Sequence, residues 1–127
     1  EYAKKWGVDN NKIGVQGSSA GAHLACTLAT GFRTPKERPA FQIMFYGAIT
    51  PAMEGCKKNG TNSKLAFQDN KLEVVANTPP AFIMVSADDR LCVDLCVNYF
   101  LELKKAGVWS ALHVYPEGGH GWWYRSL

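Results

Sequence analysis

The chain has 127 residues, 46% of them apolar, and its 14 Lys and Arg against 11 Asp and Glu leave a net charge of +3. That length suits one domain, here expected to span residues 1–127 around one core. No stretch approaches the roughly 18 apolar residues of a membrane span, and basic groups such as Lys36 with Arg38 and Lys57 with Lys58 are short clusters rather than a stripe, so neither a membrane nor a nucleic acid is an expected partner.

The opening residues carry no basic segment followed by an apolar core, so no signal peptide is read from them and the compartment stays open. Cys26, Cys56, Cys92 and Cys96 form no CxxC pair and have no His at zinc-finger spacing, so no structural metal is expected. Cys26 reads as core, and Cys92 and Cys96, four apart, would share a helix face.

In chain order, residues 12–16 carry Ile13 and Val15, end at Gly17 and predict a strand. Ala20–Thr30 is rich in Ala and Leu and predicts a closely packed helix. Residues 41–46 and Ala81–Ser86 are near-continuous apolar runs that each follow proline, the pattern of strands covered on both faces of a parallel sheet. Residues 51–78 lose periodicity and read as an irregular connection with one short helical turn. Residues 94–106 place Leu95, Tyr99, Leu101 and Leu103 on a helical pattern that ends in Lys104, Lys105 and Gly107, and residues 111–115 read as the last strand. Strands alternating with helices make the fold class α/β: a parallel sheet with flanking helices, whose function gathers at the carboxyl ends of the strands.

Gly17-Ser18-Ser19-Ala20-Gly21 is a GxSxG motif between a strand and a helix, the context of a nucleophile elbow. The flanking glycines suit a turn too sharp for side chains, and the Ala20 amide at the helix start is expected to supply an oxyanion donor. The plain alternative is a small-residue turn that packs a helix onto a strand. A serine hydroxyl needs a base, and the base needs a carboxylate to fix its tautomer. Asp88 and Asp89 follow the strand at Ala81–Ser86, and His120 stands in Gly118-Gly119-His120-Gly121 after the last strand. Asp89 is preferred as the acid, with Asp88 as the alternative. His23 lies four residues into the helix after Ser19 and His113 lies inside a strand, so both read as structural. Neither GxGxxG nor Gly-Lys-Ser/Thr occurs around residues 14–21, and no cofactor is expected.

The segments IGVQGSSAGAHLA from Ile13, FQIMFYGAIT from Phe41, TPPAFIMVSADDR from Thr78 and LHVYPEGGHGW from Leu112 resemble acetyl-xylan-esterase-like and feruloyl-esterase-like α/β-hydrolases. The resemblance implies Ser19 as nucleophile, Asp89 rather than Asp88 as acid and His120 as base. Two departures stand out: Cys92 and Val93 replace the usual Val-Pro after the acid, and the segment between Tyr46 and Thr78 is short. The resemblance covers the second half of the fold, strands five to eight, without the HGG-type loop of the first half or the helix expected after His120.

A partial α/β-hydrolase fold leaves its first strand at a bare sheet edge, so self-association as a homodimer or higher homo-oligomer is expected to complete it. The implied function is a serine carboxylesterase acting on short-chain acyl esters, acetyl or feruloyl, of small molecules or plant polysaccharide. Trp122 and Trp123 are candidates to stack on a sugar ring, with plain packing of the chain end as the alternative. Two other readings stay open: a peptidase or amidase on the same fold, or a truncated fragment of low or no activity that folds as an oligomer.

Overall fold

The computed structural model of the chain describes residues 2–49 and 73–122. Four parallel strands form one sheet in the order β1-β2-β3-β4, with β1 Val15–Ser18, β2 Gln42–Phe45, β3 Ala81–Ser86 and β4 Ser110–Tyr115. Helix α1 spans Ala3–Trp6, α2 Ala20–Thr30 and α3 Val93–Lys105. The expected bounds of α2 and of β3 hold. Strand β1 begins later than expected and runs on through Gly17, because Asn10–Lys12 is a 3-10 turn that Asp9 caps by accepting the Asn11 amide at 2.9 Å. Strand β2 stops at Phe45 because Tyr46 takes φ 35°, outside the extended region. Helix α3 starts at Val93 rather than Asp94; of the irregular connection expected over residues 51–78, residues 73–78 are irregular and the rest lies outside the described residues.

Two of the three crossovers, β1-α2-β2 and β3-α3-β4, run through described helices and step the same way across the sheet, so right-handed connections put α2 and α3 on one face. Tyr99 of α3 ties that face together: its hydroxyl donates to Gln42 Oε1 of β2 at 2.9 Å and lies beside Cys26 of α2. Gln42 Nε2 in turn donates to the Pro79 carbonyl, so a buried amide has both ends satisfied. Ala22, Ala25, Cys26 and Ala29 of α2 meet Met44, Ile83 and Val85 there, all buried, and the small side chains let the helix lie close to the sheet.

The opposite face is open. Strand β3 alternates between buried Ile83 and exposed Phe82, as the two-residue period of a strand requires. Phe41, Phe82 and Trp109 wall an apolar cleft of about 290 Å³ at the amino ends of β2, β3 and β4. Helix α2 carries no charged side chain, and its Leu24 and Leu28 face outward at 69% and 48% exposure. Strand β1 has β2 on one side and, among the described residues, no strand on the other.

Candidate active site

Ser19 stands between β1 and α2 as the N-cap of the helix, at φ 52° and ψ −121°. A non-glycine residue held there carries strain of about 1–3 kcal/mol, which the surroundings must offset. They do so through three backbone bonds: Ser19 N donates to the Phe45 carbonyl, and its own carbonyl accepts from the amides of Ala22 and Ala48. Gly17 is required by close approach, since a Cβ there would stand 2.1 Å from the Gly21 carbonyl oxygen. Gly21 is not: a Cβ there would meet nothing within 4 Å, so only one of the two motif glycines answers to a crowded turn.

The carboxyl ends of β1, β3 and β4 bring the three residues singled out in the sequence into one chain of hydrogen bonds. Ser19 Oγ lies 2.7 Å from His120 Nε2, and His120 Nδ1 lies 2.9 Å from Asp89 Oδ2. The Asp89 side chain is 0% exposed and that of His120 is 30% exposed. The other Asp89 oxygen accepts the amides of Leu91 and Cys92 at 3.0 and 3.1 Å, so the buried carboxylate is satisfied on both sides. Ala20 opens α2, and its N–H is among those a helix leaves without an intrahelical acceptor.

Asp88 has a separate place. Its carboxylate accepts the Gly118 amide at 3.2 Å and the Gly119 amide at 2.8 Å, clamping the loop that carries His120. Sequence reading weighed Asp88 only as a rival acid. Gly118 at φ 147° permits the clamp, and a Cβ there would fall 2.6 Å from Ser86 Oγ and 2.9 Å from Trp122 Cγ. Tyr46 escaped the sequence reading altogether. Its ring meets that of His120 edge-on at 5.2 Å, and its buried hydroxyl has no hydrogen-bond partner among the described residues. The positive φ that could have flagged it leaves no mark in a sequence.

His23 is buried on α2 against the Ala48 backbone, and burial holds its pKa below the ordinary 6.5. His113 is exposed on β4, with its ring 4.9 Å from Phe82 on the open face. Trp122 packs on Tyr115 at 5.5 Å, while Trp123 lies outside the described residues. Burial pushes the Cys26, Cys92 and Cys96 thiols up to about 12, helped at Cys92 by the Asp89 carboxylate, so none is a ready nucleophile. Among the described residues one set of metal-capable side chains converges, Asp89, Cys92 and His120.

A family model described as alpha/beta hydrolase fold matches residues 1–74. The chain is 34% identical to an acetylxylan esterase of Xylanibacter ruminicola, over 98% of its own length and 30% of that protein. It is 28% identical to endo-1,4-beta-xylanase B of Butyrivibrio fibrisolvens, over 94% of its length and 22% of that protein. Among solved structures, the acetyl ester-xyloside bifunctional hydrolase from Caldicellulosiruptor lactoaceticus superimposes with a TM-score of 0.78 at 32% identity, covering 98% of this chain and 53% of that one. A sugar hydrolase from Lactococcus lactis gives 0.73 at 27% identity, covering 94% and 49%. The chain thus spans less than a third of the curated relatives it matches and about half of these solved ones. With its parallel sheet, strained serine elbow and family match, the chain belongs to the α/β-hydrolase fold family.

Proposed function

We propose that this chain is the triad-bearing part of a serine carboxylesterase that cleaves short acyl esters, acetyl esters of xylan-type carbohydrate first among them. The observation that carries the reading is the continuous relay from Ser19 Oγ through His120 to Asp89, at 2.7 and 2.9 Å. Ser19 attacks the ester carbonyl while His120 Nε2 takes its proton and passes it to the leaving alcohol. Asp89 holds the imidazole with its proton on Nδ1 and stabilises the imidazolium that forms. The Ala20 N–H donates to the oxyanion, and water then repeats the sequence on the acyl-enzyme. The names of the relatives, an acetylxylan esterase and an acetyl ester-xyloside hydrolase, favour an acetyl group on a sugar over an amide bond. Trp122 and Trp123, two and three residues after His120 in the sequence, are the aromatic candidates for the sugar side of the substrate.

The test is hydrolysis of a chromogenic acetate ester by the native protein and by Ser19→Ala. A native rate that disappears in the variant supports the reading, and equal rates reject Ser19 as nucleophile. An amide substrate run in parallel decides between esterase and amidase.

The same reading includes self-association with a second copy, for which the β1 edge, without a further strand among the described residues, and the outward Leu24 and Leu28 offer a surface. Light scattering over a concentration series checks it, and a strict monomer throughout overturns it.

A further inference from the structure

Cys92 adds a third metal-capable atom beside the Asp89–His120 pair. Its Sγ, a carboxylate oxygen of Asp89 and a ring nitrogen of His120 all lie within 4.8 Å of one another. The thiol is free and buried, and its position is fixed by the turn that also fixes Asp89, whose Oδ1 accepts the Cys92 amide. The hydrolytic reading gives this side chain no task.

We infer that Asp89, Cys92 and His120 form a site for a soft or borderline divalent cation, Zn²⁺ or Cd²⁺, whose occupancy switches off the hydrolytic site. This rests on the reading of Ser19 as nucleophile and His120 as base. A thiolate with an imidazole selects such cations over Mg²⁺ and Ca²⁺, which prefer all-oxygen shells. Three protein ligands and one water complete a tetrahedron. Bonds of about 2.3 Å to sulfur and about 2.0 Å to nitrogen place those two atoms roughly 3.5 Å apart, so side-chain torsions must bring Cys92 Sγ closer by about 1 Å while the Asp89–His120 pair, now hydrogen-bonded, opens slightly to admit the ion. One thiolate and one carboxylate neutralise the dication, so the buried site goes from one negative charge, that of Asp89, to none. Ions enter past the partly exposed imidazole of His120.

Inhibition follows from the tautomer. The hydrolytic state needs the imidazole proton on Nδ1, facing Asp89, and the lone pair on Nε2, facing Ser19. A cation on Nδ1 takes that lone pair, so the ring proton moves to Nε2. The thiol releases its own proton to solvent as the metal–sulfur bond forms. One proton leaves in all and no electron changes hands. With Nε2 protonated, His120 has no lone pair to accept the Ser19 proton.

Binding is read first without activity, by adding Cd²⁺ alone and following the ultraviolet absorbance of a cadmium–thiolate bond. The native protein is expected to saturate at one equivalent. Cys56→Ala keeps the absorbance, Cys92→Ser and Cys92→Ala lose it, and His120→Gln weakens the affinity. Absorbance that is absent in the native protein, or unchanged in both Cys92 variants, overturns the site. In the second arm, saturating Zn²⁺ lowers native ester hydrolysis on the order of 100-fold or more, reversibly with a chelator. Each Cys92 variant, compared with its own metal-free rate, loses far less. Turnover untouched by Zn²⁺ together with no Cd²⁺ absorbance overturns the site and leaves the hydrolase reading intact. Cd²⁺ bound through Cys92 in a protein with no turnover under chelator supports the site and overturns the hydrolase reading.

Discussion

Asp88 and Asp89 are consecutive residues whose carboxylates grip the same loop at two points: Asp88 takes the amides of Gly118 and Gly119, and Asp89 takes the ring of His120. Neighbours leaving a strand point to opposite sides, so one carboxylate turns inward to full burial while the other stays exposed. The His120 loop is therefore fixed in backbone and in side chain by one dipeptide at the end of β3.

Asp88→Ala removes both amide bonds without touching the Ser19–His120–Asp89 relay. Ester hydrolysis is expected to fall about 10- to 100-fold, mainly in kcat, because the loop no longer holds the imidazole within about 1 Å of its place. Asp88→Asn keeps an acceptor oxygen and should recover part of the loss. Steady-state kinetics of the three proteins check this, and an unchanged kcat in Asp88→Ala would remove the clamp from the functional account.

Asp89→Asn leaves an oxygen for the Leu91 and Cys92 amides but turns an N–H₂ toward His120 Nδ1. The imidazole must then carry its proton on Nε2, the wrong side for a base. Activity should drop about 10,000-fold, the scale on which a mis-set tautomer costs a serine hydrolase. The thermal midpoint should move little, since the bonds that shape the turn survive. A loss under tenfold would favour another acid.

The two glycines of the serine motif should respond in opposite ways. In Gly17→Ala the new methyl meets the Gly21 carbonyl oxygen at 2.1 Å and the Ala22 nitrogen at 2.6 Å, backbone atoms that cannot step aside unless α2 leaves the sheet. A cost of about 1–3 kcal/mol or more is expected from such overpacking. Gly21→Ala enters open space inside the first turn of α2 and should be neutral, or stabilising by up to about 1 kcal/mol through helix propensity. Urea midpoints of both variants decide it.

His23 gives stability a pH dependence of known sign. Burial lowers its pKa in the folded chain below the ordinary 6.5, so the unfolded chain takes up a proton that the folded chain resists. Above 6.5 both states are neutral at this residue and it contributes no slope. As the pH falls through 6.5 toward the lowered value, stability is lost. Denaturant midpoints measured between pH 7.5 and 5.5, about one unit on either side of that reference value, should fall more steeply for the native protein than for His23→Gln. Parallel curves would show that burial does not hold the ring neutral.

Composition and periodicity carried the order of elements from β1 to β4, though not the short helix α1, together with the parallel sheet and the bounds of α2 and β3, because small residues at helical spacing and proline-led apolar runs are local properties. They misplaced the start of β1, where the Asp9 cap overrides a strand-like run, and the end of β2, where Tyr46 turns to a positive φ. The first is a two-residue cap that the apolar pattern hides, and the second depends on the amide of Tyr46 reaching the Met84 carbonyl, which a window of neighbours does not contain. The sequence by itself determined which residues could do chemistry: a serine in an elbow motif, a pair of aspartates after one strand and a histidine among glycines after the last. Only the tertiary structure brings these residues together. Ser19 and His120 are 101 residues apart in the chain, yet parallel strands in register bring their atoms to 2.7 Å. That same geometry sends Asp88 to the loop backbone, Asp89 to the ring and Cys92 beside both.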